Sequence, residues 1–432
     1  MKRSFKRISA IFIIAAILPA ASCKKDYTDP STVRDDLALS SPQAVTGIAV
    51  GLQKKYATNR AGTYYNLVAA NGFTTFELRL LNVGNLPENQ LNTGGGSVDG
   101  TNTILLNVWS ASNKIVFDAN NVISYAQKLT DKGYASGLLA YTSIFKALSI
   151  GTMSMFWPEV PEGIGQNVGF IDRKEGFKQA IALLDEAIAA VNANAISPAF
   201  LTNIPAGIDI PNTLLALKAR YALYIGDYTQ ALATADKVDL TKKSVFNFDP
   251  VFLNPIFETA TSTNNVFQPL DSTLGLPVGI QPDLSDKRVP FYTTLNTTIA
   301  PRYRINGFGA ANLAPIPIYL PGEMLLIKAE CYARQHDVDN GLKTLNLVVT
   351  KQASADIFGV GAGLPEITGP INENDLLVQI YRNRCIELFM SGLKLEDMRR
   401  FDRPLTERKR NLFPYPFAER DNNPNTPKDP DF

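Results

Sequence analysis

A single histidine, His336, serves a chain of 432 residues, and this scarcity excludes more chemistry than any motif supplies. Multi-histidine metal sites are ruled out, and a histidine-activated nucleophile has only one candidate base. Cysteine is nearly as rare, with three residues, and tryptophan rarer, with two. Charge of neither sign is in excess: 42 basic and 41 acidic residues leave a formal net charge of +1. A nucleic-acid binder needs a basic face to neutralise phosphates, so no nucleic-acid partner is expected. What is present is the composition of an ordinary globular protein, 45% hydrophobic and 19% charged, long enough to bury a full core without staples.

The first residues read as an export signal. Lys2, Arg3, Lys6 and Arg7 form a basic start, the apolar run ISAIFIIAAILPA follows, and the small residues AAS lead to Cys23. The run is too short to cross a hydrocarbon core of about 30 Å as a stable helix, so residues 1–22 are expected to be cleaved. A cysteine at the cleavage point resembles a bacterial lipobox, in which the sulfur carries a diacylglycerol and anchors the chain to a membrane. At about 0.8 kcal/mol per buried methylene, several acyl chains hold nearly permanently. Residues 23–40 then form a lipidated tether. Without the first 22 residues the chain carries 38 basic and 41 acidic residues, a net charge of −3, and no polybasic patch. Cys331 and Cys385 remain within helical patterns. An exported protein allows a disulfide between them, but the sequence gives no distance, and buried free thiols are the expectation.

From residue 41 onward the chain alternates between strong helical periodicity and long stretches with none. In GFKQAIALLDEAIAAV, Phe177, Ile181, Leu184, Ile188 and Val191 fall on one stripe. Helical hairpins are predicted over about 111–156, 171–240, 322–351 and 373–401. Two of them repeat. Ala219 and Ala231 lie twelve apart, as do Ala329 and Gly341, and Leu215, Ala222, Ala235 and Val238 match Leu325, Tyr332, Leu345 and Val348 at one offset of 110. Small residues at the paired positions let two helices approach, and this is the tetratricopeptide pattern. The fold class expected is mainly α: tetratricopeptide-like helical hairpins with long irregular insertions and a few short strands, in one domain over residues 41–432.

The insertions are about 59–107 and 241–321. Ten of the 27 prolines lie between Asp249 and Pro321, a density that forbids long helices. Such long segments are expected to fold against the helices and supply a surface the repeats lack. NTGGGSVDGTNT reads as a flexible tip, the tail from Pro404 as an outer wrapping, and His336 as an exposed hairpin-turn residue. No phosphate loop, calcium loop or catalytic constellation stands out, so no enzyme activity, cofactor or metal is expected. Aromatics remain. Sugars stack their faces on Trp, Tyr or Phe, and Trp109, Tyr64, Tyr65 and Phe73, in or beside the first insertion, are the ligand-binding candidates. Trp157, at a helix exit, is read as packing.

Ordered local matches carry a resemblance over nearly the whole chain. SSPQAVTGIAVGLQKKYA, SIGTMSMFWPEVPEG, the two repeat hairpins and YRNRCIELFMSGLKLEDMRRF together resemble the SusD/RagB family of nutrient-binding outer-membrane lipoproteins. In the last segment the matching residues are Arg384, Glu387, Leu388, Gly392, Asp397, Arg399 and Arg400. Asn383 and Ser391 depart where glutamate is usual, and Leu395 where tryptophan is common. The charges there are expected to form ion pairs locking the last helix to the repeats. The resemblance implies a lipid-anchored protein on the outer face of a Bacteroidetes-type outer membrane. It implies a SusC-like TonB-dependent barrel as partner and an oligosaccharide or peptide as ligand. Two other readings stay open: a surface scaffold of helical repeats that binds only proteins, and a surface glycan hydrolase with carboxylates in 241–321.

Overall fold

Helices begin where the sequence places a cap. The computed structural model describes residues 41–432; the expected signal, the tether and Cys23 lie outside the described residues. Helices α1 (Pro42–Ala57), α2 (Thr63–Thr74) and α3 (Leu86–Thr93) precede α4 (Thr103–Ala126), α5 (Lys132–Phe156) and α6 (Arg173–Ala193). Asn102, Asp131 and Asp172 cap the last three, each accepting a backbone N–H that the helix leaves unpaired. Then come α7 (Ile210–Ile225), α8 (Tyr228–Ala235), α9 (Pro321–Arg334), α10 (Val338–Val349), α11 (Glu373–Glu387), α12 (Lys394–Arg400) and α13 (Phe417–Asn422). From α4 to α9 each helix packs against the next, and α9 also packs on α10 and α11. The predicted stripe of α6 turns inward: Phe177, Ile181 and Leu184 are buried, each worth about 2 kcal/mol. Val45–Phe432 form one compact unit, mainly helical as expected.

The two repeat hairpins share their turn as well as their small residues. Gly226 (φ +83°) and His336 (φ +65°) are left-handed at matching positions. Asp227 N–H donates to Ala222 O and Asp337 N–H to Tyr332 O, both at 2.9 Å. Each aspartate then caps the following helix, on Gln230 N and Asn340 N. The offset of 110 read from side chains therefore holds for the backbone. Ala219, Ala231 and Ala329 are fully buried, and a Cβ on Gly341 would lie 2.9 Å from Leu376.

The strands are short and antiparallel: β1 (Leu78–Leu80) with β5 (Phe267–Pro269), β2 (Glu159–Pro161) with β3 (Phe170–Asp172), β4 (Val245–Phe246) with β8 (Ile316–Pro317), and β6 (Thr293–Leu295) with β7 (Tyr303–Ile305). The β1–β5 pair, Leu78 opposite Pro269, joins the two insertions. Two expectations are corrected here. The 59–107 segment is not irregular throughout, because it contains α2 and α3. Helix α2 is buried on nearly every side and so has no amphipathic stripe to read. NTGGG is not a free tip either. A Cβ on Gly94 would lie 2.4 Å from the Lys409 side chain, and Gly100 O accepts from Phe417 N, so these glycines seat the tail. The tail covers the outside, as expected, but also inserts Phe413 and Tyr415 into the core.

The expected ion pairs are present and deep. Arg384 grips Asp397 with Nε at 2.9 Å and Nη2 at 3.0 Å, and Arg400 bridges Asp397 to Glu330 on α9. Arg288 reaches Asp286, Glu387 and Asn383, whose Oδ1 accepts at 2.8 Å, so the amide there keeps a bond without a charge. Glu387 also receives Lys351 at 2.7 Å. The Lys394 ammonium, 3% exposed, donates to Thr75 O, Leu274 O and Gly275 O, one carbonyl from the first insertion and two from the second.

Candidate functional site

Where the 241–321 segment closes over α1, α2, α5 and α7, a cavity of about 80 Å³ remains. Its walls are rings: Tyr56 and Tyr64 from the first two helices, and Phe246, Tyr292, Phe308 and Tyr319 from the second insertion. Tyr64 and Phe308 are half-buried and the other four are buried. The remaining wall is the turn after α11, from Leu388 to Leu393. Asn71 holds that turn, donating to Gly392 O at 2.7 Å and accepting from Leu395 N at 3.1 Å. Gly392 is required there: it is left-handed (φ +79°), and a Cβ would lie 2.6 Å from Leu67 Cγ.

Polar groups are few. Arg220 projects from α7, and its Nε and Nη2 clasp Glu323 of α9 at 2.6 and 2.7 Å, with Ile318 O a third partner at 2.9 Å. Arg220 is 5% and Glu323 1% exposed. Burial alone would lower the guanidinium pKa, but the carboxylate outweighs it and raises it, so the guanidinium stays charged. The third nitrogen, Nη1, hydrogen-bonds to none of the described residues. Tyr319 and Ser391 also border the cavity, and their hydroxyl oxygens are buried with no hydrogen-bond partner among the described residues. Tyr292, by contrast, donates its hydroxyl to Glu387 O, and burial followed by the Glu387 charge drives its pKa well up. Aromatic walls with a small number of unpaired polar groups can hold a ring and read its substituents.

Of the four aromatics singled out in the sequence, the fold brings only Tyr64 to this cavity. Tyr65 is fully buried, with its hydroxyl on Glu88 at 3.3 Å, and Phe73 packs edge-on against Phe267. Trp109 is 4% exposed. It meets Trp157 edge-on at 4.8 Å, stacks on Phe170 and donates Nε1–H to Glu419 Oε2 at 3.0 Å. Rings covered in this way have no face to offer a ligand. Sequence reasoning missed Tyr56, Tyr292, Phe308, Tyr319 and Arg220, which come from segments far apart in the chain. The expectation that the 241–321 insertion folds against the helices and supplies a surface was the nearest signal.

The other expected features fall plainly. Trp157 is buried and donates to Pro414 O at 2.9 Å. The His336 side chain is 82% exposed, with Nδ1 2.7 Å from Glu373. Cys331 and Cys385 are free, buried thiols, both pushed up to about 12 by burial. Among the described residues no cluster of three His, Cys, Asp or Glu could hold a metal, and no helix is long and apolar enough to cross a membrane.

No protein-family model matches the chain, and no curated protein matches it. Solved structures do. A SusD superfamily protein from Bacteroides thetaiotaomicron is 14% identical, with a TM-score of 0.68 over 91% of this chain and 99% of its own. Another from Bacteroides fragilis is 15% identical, with a TM-score of 0.66 over 90% of this chain and 99% of its own. A SusD-like carbohydrate-binding protein from Bacteroides fragilis is 13% identical, with a TM-score of 0.65 over 84% and 87%. Helical repeats, joined insertions and tail together give this chain the fold of the SusD superfamily.

Proposed function

We propose that the protein is a cell-surface nutrient-binding lipoprotein, anchored through Cys23, that captures an oligosaccharide or peptide and passes it to a SusC-like TonB-dependent barrel in the outer membrane. The observation that carries this reading is the ring-lined cavity, set in a fold shared with a protein described as carbohydrate binding. Sugar C–H faces pack on such rings while hydroxyls take up the unpaired polar groups. Glycan is therefore the leading ligand class. A binding role without turnover fits the charges at the cavity. Glycoside hydrolysis commonly uses two carboxyl groups, and among the described residues this cavity is bordered by one, already clasped by Arg220.

The test is a pull-down of the tagged, lipidated protein from gently solubilised outer membrane. Stoichiometric recovery of a large β-barrel is the expected result. Recovery alone, or with other surface proteins only, would overturn delivery and favour the scaffold reading. Protein lacking Cys23 is expected to bind at least one member of a glycan and peptide panel at millimolar concentration or below, and failure across the panel would overturn nutrient capture.

A further inference from the structure

We infer that the cavity selects uncharged sugars, accepting neutral pyranose units and turning away uronic acids. The inference rests on the reading of this cavity as the saccharide site and adds the ligand's charge to it. Among the described residues that border the cavity, only Arg220 and Glu323 carry a charge, and they neutralise each other. A neutral sugar finds ring faces there and a donor at Arg220 Nη1, which hydrogen-bonds to none of the described residues.

A carboxylate brought to the same place would have to share the Arg220 guanidinium with Glu323. The molecule itself shows what such sharing requires. Arg288 serves both Asp286 and Glu387, and Lys351, a second cation, serves both Glu387 and Asp356. Arg400 serves both Glu330 and Asp397, and Arg384 stands beside Asp397. At both places the clustered buried carboxylates are held by two or more cations. The cavity has one cation and one carboxylate, so an entering anion is left without a counter-charge among low-dielectric walls.

The experiment compares galacturonate oligomers, their methyl esters and neutral galactose oligomers by calorimetry on protein lacking Cys23, at pH 7. Ester and acid share size and ring geometry and differ in charge. The neutral and esterified oligomers are expected to bind, with the free acids weaker by roughly a hundredfold or more. Acids binding as tightly as their esters would overturn the charge selection and leave saccharide binding intact. Failure of these oligomers and of a broad neutral glycan panel would instead overturn the site reading, and the inference with it. Two variants place the effect. Glu323→Gln, which frees the guanidinium, should close the gap between acid and ester by about tenfold or more. Phe308→Ala, on the half-buried rim, keeps the test open should the first variant fail to fold. It should weaken neutral binding about tenfold, and unchanged binding would put the sugar elsewhere and overturn the inference.

Discussion

The helical repeats and the irregular insertions satisfy the same backbone by opposite means. In the repeats each N–H finds a carbonyl one turn away, and the ends are closed by a neighbouring side chain such as Asp227 or Asp337. In the insertions the partners lie far off and are often buried side chains. Asn254, fully buried, donates to Phe308 O and Ala314 O at 2.7 and 2.8 Å and accepts from Ile256 N and Phe257 N. Gln268 accepts from Ile305 N at 2.8 Å. Lys394 does the same for three carbonyls at once. A segment without periodicity is thus not a loose one. Its order is carried by single polar residues, each with more to lose than a residue in a helix.

That difference can be broken at its strongest point first. Arg288→Met should remove about 3–5 kcal/mol of stability, because it leaves Asp286 buried without its cation and Glu387 with Lys351 alone; chemical denaturation measures it. Next comes Glu77, 1% exposed beside Lys394. Burial, only partly offset by Lys394, pushes its carboxyl up to about 7 from 4.5. The folded state then holds a proton that the unfolded state releases. Its contribution is complete below pH 4.5 and is lost as pH rises through about 7, by about 3 kcal/mol. Denaturation of Glu77→Gln across this window should show the loss removed. A parallel fall in both proteins would count against it.

Asn254→Ala should cost about 2–3 kcal/mol by stranding the carbonyls it serves. Hydrogen exchange should quicken across 254–314 while α4 to α6 stay protected. Exchange that quickens everywhere would erase the contrast between the two regions. The smallest effect is expected in the repeats, where Asp227→Ala and Asp337→Ala should cost about 1 kcal/mol each. Equal values for the two would sharpen the claim that the turns are copies.

What was legible in the sequence follows the same line. The repeat hairpins could be read because a helix declares itself within a few residues, through stripe, cap and small contact positions. Helix α2 could not, since burial on all sides erases the stripe. The ion pairs of YRNRCIELFMSGLKLEDMRRF were expected as a class, but Arg288 and Lys351 as partners were not, since neither lies near Glu387 in sequence. Of the cavity only Tyr64 was foreseen. Trp109 drew attention because tryptophan is scarce and sits after a glycine-rich stretch, yet those glycines let the tail approach and cover it.

The tail has one more consequence, an optical one. Both tryptophans of the chain sit under it, 4.8 Å apart, and the Trp157 indole is held by Pro414, 257 residues further on. The indole emission of this protein is therefore a report on one place. It should change when residues 413–432 dock or detach, and stay nearly silent when the insertions open or the repeats fray. A fluorescence melt of this molecule would time the closing of a clasp, while circular dichroism, which sees the helices, would time something else.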